Sequence, residues 1–174
     1  MDDPLGLLAE VLSENEIDYA VIGGHAVNAW VEPRFTADID VTIAASASDL
    51  DNIKAAFKRR GFTIAVEYGT EQASGPDFIR FTMSDSRIVL EFQVAKTRLQ
   101  DDIIHRAHQD SRGLRIASPE DLIVLKLIAN RPKDQIDLIQ LCALPDLDWD
   151  YMAGCAAEWD LTDLLESFQN SSRA

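Results

Sequence analysis

"YAVIGGHAVNAWVEPRFTADIDVTI", Tyr19–Ile43, is the stretch that decides the fold. An apolar run ends at Gly23-Gly24, and further on Asp38 and Asp40 flank a single isoleucine. "DIDVTI" reads as a strand. Asp38, Asp40 and Thr42 then share one face, and Ile39, Val41 and Ile43 share the other. The apolar face belongs in a core. The opposite face carries two carboxylates about 7 Å apart along the strand. Like charges that close repel, and burial would raise their pKa values. A divalent cation reverses that logic, because hard Mg²⁺ prefers carboxylate oxygens and shares its sphere with substrate phosphates. With a third carboxylate the pair can hold two ions, Mg²⁺ first and Mn²⁺ as a substitute, in phosphoryl chemistry.

The third carboxylate is expected on a neighbouring strand. In "RIVLEFQV" (87–94), Glu91 interrupts an apolar run and shares its face with Val89 and Gln93. Asp77 and Asp85 are the alternatives, both in turn contexts where Asp is common. Gly23 and Gly24 let the backbone adopt φ > 0 and approach a ligand closely. A helix beginning at His25 would turn its first N–H groups toward an anion. Strand, glycine pair, helix, loop and Asp-x-Asp strand thus form one unit able to seat a triphosphate beside a metal.

Outward from this unit the periodicity predicts further elements. "LGLLAEVLSENE" is a helix, and "SASDLDNIKAAFKRRG" another, with Ser48 as N-cap and Gly61 as stop. "FTIAVEY" is a strand, and "DFIRFTM" and "RIVLEFQV" form a hairpin across "SDS". "LQDDIIHRAH" is a helix, bringing His105 and His108 onto one solvated face, and "LRIA" is a last strand. At Ser118 the character changes: "SPED" starts a helix, with Pro119 at its first position and Asp121 at the capping-box position. Only helices follow. The expected architecture is α/β (α+β), an α/β half over 1–117 followed by a helical region over 118–174. The Trp30, Trp149 and Trp159 side chains are expected to pack.

Of the 174 residues, 47% are hydrophobic, enough for a core, and 30 acidic against 16 basic residues leave a net charge of −14. That works against unassisted binding to a nucleic-acid backbone. Lys58-Arg59-Arg60 is one basic cluster, best read as a solvated helix end. Cys142 and Cys155 have no metal-cluster spacing, which suits a reduced, cytoplasmic protein. "MDDPLG" is acidic, unlike a secretory leader, and "LIVLKLIA" is too short to span a membrane.

Gly23-Gly24, Asp38-Ile39-Asp40-Val41 and Glu91 together resemble the nucleotidyltransferase superfamily typified by DNA polymerase β. "RFTADIDV" and "SPEDLIVLKLIANRPKDQIDLIQL" resemble the AbiEii-type toxin and small antibiotic-type nucleotidyltransferases. The resemblance implies a Mg²⁺-dependent enzyme that moves an NMP from an NTP, such as ATP, to an acceptor hydroxyl with release of pyrophosphate. It implies Asp38, Asp40 and Glu91 as metal ligands and catalytic carboxylates. It also implies Gly23, Gly24 and Lys126 at the nucleotide, with Arg34 as a further phosphate contact. Asp134 and Asp137 either position Lys126 or Arg131 or cap a helix. The implied acceptor is a small molecule, a protein or tRNA, and the implied protein partner is an antitoxin or a second copy of the chain (a homodimer). The alternatives are a non-catalytic nucleotide- or protein-binding member of the fold and a nucleotide-sugar glycosyltransferase, which also uses Asp-x-Asp.

Overall fold

The computed structural model describes residues 3–69, 71, 75–83 and 88–172. It falls into two compact units. The first takes in the chain up to His25 and Arg34–Ala117. The second takes in Ala26–Pro33 and the helices from Ser118 on, so the short stretch 26–33, assigned by sequence to the α/β half, groups with the helices.

The first unit is built on a seven-stranded mixed sheet. Along the chain run α1 (Pro4–Glu14), β1 (Asp18–Ile22), α2 (Gly23–Val27), β2 (Asp38–Ala44), α3 (Ala47–Arg59) and β3 (Phe62–Tyr68). Then come β4 (Phe78–Met83), β5 (Val89–Val94), α4 (Arg98–Arg106), β6 (His108–Gln109) and β7 (Arg115–Ile116). The spatial order is β3-β4-β5-β2-β1-β7-β6. β2 runs parallel to β5 and β1 parallel to β7, while the other pairs are antiparallel.

The alternation read from "DIDVTI" is what anchors the sheet. Ile39, Val41 and Ile43 are fully buried, as are Leu90 and Phe92 of β5 and Ile79 and Phe81 of β4. α3 offers Leu50, Ile53, Ala56 and Phe57 at helical spacing. Phe57 lies 5.1 Å from Phe81, 5.4 Å from Phe92 and 5.5 Å edge-on from Phe62, ring centre to ring centre. Each such buried aromatic ring contributes about 2–3 kcal/mol. α1 adds Leu8, Val11 and Leu12.

Several expectations shift. α2 begins at Gly23 itself rather than at His25. The N-cap of α3 is Ser46, whose hydroxyl accepts from the Asp49 N–H while Asp49 returns a bond to the Ser46 N–H; this reciprocal box outcompetes Ser48. His108 sits in β6, so it shares no helix with His105. β4 and β5 pair antiparallel as a hairpin should, and the expected turn with Asp85 lies outside the described residues. Lys58 and Arg59 are exposed, and Arg60 bonds Glu10 and Glu14 at 2.8 and 2.9 Å.

The second unit holds α5 (Pro119–Ala129), α6 (Pro132–Cys142), α7 (Trp149–Glu158) and α8 (Thr162–Ser172). Ser118 caps α5 by accepting from the Asp121 N–H at 3.2 Å. The Asp121 carboxylate does not close the box. It takes the Ser118 hydroxyl at 2.7 Å and the Tyr151 hydroxyl at 2.6 Å, tying α7 to the start of α5. Asn130, in the left-handed conformation at φ 42°, ends α5 just before Pro132 starts α6. Trp30 and Trp149 are half-buried, whereas Trp159, expected to pack, is 46% exposed because it falls past the end of α7. Among the described residues no helix is long and apolar enough to cross a membrane.

Candidate active site

The glycine pair and the aspartate strand meet directly. β1 delivers the chain to Gly23, where φ is +64°. That value is cheap for glycine and costly for residues with a side chain. A Cβ on Gly23 would also fall 2.7 Å from Cγ of Asp40 and 2.9 Å from its Cβ. A Cβ on Gly24 would fall 2.5 Å from Oγ1 of Thr36 and 2.9 Å from its Cβ. The two glycines therefore do separate jobs: Gly23 makes room for the Asp40 carboxylate, and Gly24 for the loop leading into β2.

Register then orders the polar face. Asp40 pairs with Ile22 on β1 and, in parallel register, with Glu91 on β5. Glu91 in turn pairs with Arg80 on β4. Asp38 is exposed, and Asp40 and Glu91 are half-buried. Nε of Arg80 donates to Oε1 of Glu91 at 2.8 Å, and a terminal guanidinium nitrogen lies 2.5 Å from the same oxygen. The guanidinium sits 5.8 Å from the Phe78 ring centre, a cation–π distance. Further along the same face, the Thr42 hydroxyl is buried with no hydrogen-bond partner among the described residues.

The donor chemistry fits a hard divalent cation in part. Asp38 and Asp40 are oxygen donors on one strand face, and the Thr42 hydroxyl on that face has bonding capacity unspent. Glu91 lies in register beside them, yet its carboxylate is taken by Arg80. Among the described residues no three His, Cys, Asp or Glu side chains converge on a common metal position.

His25 lies at the same edge. Burial and the Arg112 charge hold its pKa below the ordinary histidine value, against the opposing pull of Asp38. Arg112 is itself bound to Asp110 at 2.9 Å. Arg34 is exposed, and its guanidinium donates to the Phe35 carbonyl at 3.3 Å. Asp77 is held by Lys96 at 2.5 Å.

Lys126 belongs to the second unit. It is 5% exposed, and its ammonium donates to Oδ2 of Asp137 at 2.6 Å and Oδ1 of Asp134 at 3.2 Å. Asp134 also accepts from Nε of Arg131 at 2.7 Å and from the Arg131 N–H at 3.2 Å. Burial opposes the Asp134 charge, but the Arg131 bond and the Lys126 charge prevail and hold its pKa below the usual carboxylate value. Of the two roles open to Asp134 and Asp137, they therefore position Lys126, and Asp134 caps α6 as well.

The family model for the nucleotidyl transferase AbiEii toxin of type IV toxin–antitoxin systems matches residues 6–163. The chain belongs to the AbiEii family. It is thus a nucleotidyltransferase-family enzyme, which sets aside nucleotide-sugar glycosyl transfer. No curated protein matches it. Among solved structures it resembles an antigenic nucleotidyltransferase-like protein from Paracoccidioides brasiliensis, at 20% identity and TM-score 0.55, over 93% of this chain and 90% of that one. It also resembles ANT(2'')-Ia in complex with adenylyl-2''-tobramycin, at 17% identity and TM-score 0.51, over 97% and 93%. A nucleotidyltransferase from H. pylori matches at 16% identity and TM-score 0.51, over the same shares. At these identities the likeness speaks to the fold.

Within this AbiEii chain, two cations escaped the sequence reading, one beside Glu91 and one acting on His25. Arg80 left a trace, a charge inside the apolar run "DFIRFTM", but its partner follows only from the β4–β5 register. Arg112 left none, because its approach to His25 depends on how the 110–113 turn folds back.

Proposed function

We propose that the enzyme transfers an NMP from an NTP to an acceptor hydroxyl, with Asp38 and Asp40 as its metal-holding carboxylates and Glu91 completing the set. The observation that carries this reading is the left-handed turn at Gly23 fitted against Asp40, which presents Asp38 and Asp40 on one strand face. When bound, Mg²⁺ or Mn²⁺ would neutralise the triphosphate and the charge that develops as pyrophosphate departs. The chain's own residues position and exchange protons. The Gly23 and Gly24 backbone and Arg34 address the nucleotide phosphates. Glu91 accepts the acceptor's hydroxyl proton as the new O–P bond forms at the α-phosphate and the α–β bridging bond breaks.

Family membership supports an antitoxin as protein partner. The −14 net charge supports a small cationic molecule or a protein as acceptor over tRNA, and the fold likeness to ANT(2'')-Ia, whose complex holds adenylyl-2''-tobramycin, points the same way. A second reading, nucleotide binding without transfer, draws on the Arg80 hold on Glu91. Calorimetry with Mg²⁺ and each NTP, followed by pyrophosphate release, separates the two. For transfer, Asp40→Ala is expected to lower pyrophosphate release by at least about 10³-fold, since metal-borne charge stabilisation supplies several kcal/mol, with an unchanged circular dichroism spectrum. A folded Asp40→Ala that releases pyrophosphate at the wild-type rate would sink the assignment.

A further inference from the structure

We propose that Arg80 is a built-in counter-cation that competes with a second divalent cation for Glu91. The inference rests on reading Asp38, Asp40 and Glu91 as the metal-holding set. Both Arg80 nitrogens bond the same oxygen of Glu91, Oε1, in a charge-assisted pair. The guanidinium is steadied from below by the Phe78 ring, two residues earlier on the same strand face. Strand register, rather than a flexible loop, sets Arg80, Glu91 and Asp40 side by side across β4, β5 and β2. The Glu91 side chain is 17% exposed and that of Arg80 43%, so the carboxylate is the more shielded partner of the pair.

Occupancy of Glu91 gives the pair its consequence. With Oε1 of Glu91 held by Arg80, a cation that draws on Glu91 has to displace the guanidinium, whereas one held by Asp38 and Asp40 does not. A first ion at Asp38 and Asp40 therefore precedes a second at Glu91.

The test is a Mn²⁺ titration of the full chain without nucleotide, followed by calorimetry. The wild type is expected to take one equivalent tightly and a second weakly. Arg80→Gln should tighten the second equivalent about tenfold or more, and Arg80→Lys, which keeps the charge, should stay near wild type. Glu91→Gln added to Arg80→Gln should erase the gain. A thermal melt of each variant confirms that it is folded, and Arg80→Met, which removes the charge but keeps a long unbranched side chain, should show the same gain if the glutamine variant unfolds. A second equivalent that Arg80→Gln leaves unchanged, or a gain that survives Glu91→Gln, overturns the inference about Arg80 alone. Mn²⁺ binding indifferent to Asp40→Asn overturns the metal reading beneath it as well.

Discussion

Gly23 concentrates two constraints in one residue. Its φ of +64° would strain any side-chain-bearing residue by about 1–2 kcal/mol. The Asp40 carboxylate fills the space a Cβ would need. The first constraint bears on stability and the second on the site, so one substitution separates them. Gly23→Ala is expected to lower the melting temperature by only about 3–8 °C, the shift such a strain gives in a chain of this size. Pyrophosphate release should fall nearly as far as in Asp40→Ala, because the carboxylate has to move. Near-wild-type activity in Gly23→Ala would mean that the Asp40 position is irrelevant to the reaction. The glycines and both aspartates were legible in the sequence because they violate local expectation: small residues where a strand ends, and charge where a core should be. Arg80 was not, since an arginine in a strand has many innocent partners and only tertiary register names Glu91 as the one it has.

At the scale of elements, periodicity located the longer strands and helices, because a buried face imposes its period on the chain. It missed β6, whose two residues are too few to show any period, and it misplaced the α3 cap between Ser46 and Ser48, which only the Asp49 bond distinguishes. The α5–α6 pair shows what else a helix can hide. Lys126 interrupts an apolar run and is nevertheless buried, because Asp134 and Asp137 of the next helix meet its ammonium. Removing one partner from such a cluster strands the others. Lys126→Met is expected to cost about 3–5 kcal/mol in urea unfolding, while replacing Lys126 and Asp137 together by apolar residues of similar size should recover part of that loss. The pH dependence has a definite sign. The Asp134 pKa is held below its ordinary value of 3.8, so its stabilisation is complete above that value and disappears as pH falls through the depressed one. Melting temperature should accordingly drop as pH falls below about 4, and less steeply in Asp134→Asn. A Lys126→Met chain as stable as wild type would show that the buried cluster contributes nothing net.

Across the whole molecule the acidic excess is not spread as idle surface charge. Part of the positive charge is held by acidic partners: Arg60 by Glu10 and Glu14, Lys54 by Glu67, Lys96 by Asp77, Arg112 by Asp110, and Lys126 and Arg131 by Asp134 and Asp137. A net charge of −14 adds long-range repulsion toward any polyanion. A cationic small molecule meets the opposite field, and a protein hydroxyl need meet none. Incubating the enzyme with each α-labelled NTP and a cell lysate should therefore place label in the small-molecule or protein fraction. Added salt should weaken labelling of a cationic acceptor several-fold between about 0.05 and 0.3 M as screening shortens the field. Label recovered in RNA would reverse the argument, for it would require a phosphate-binding surface strong enough to outweigh the charge of the entire chain.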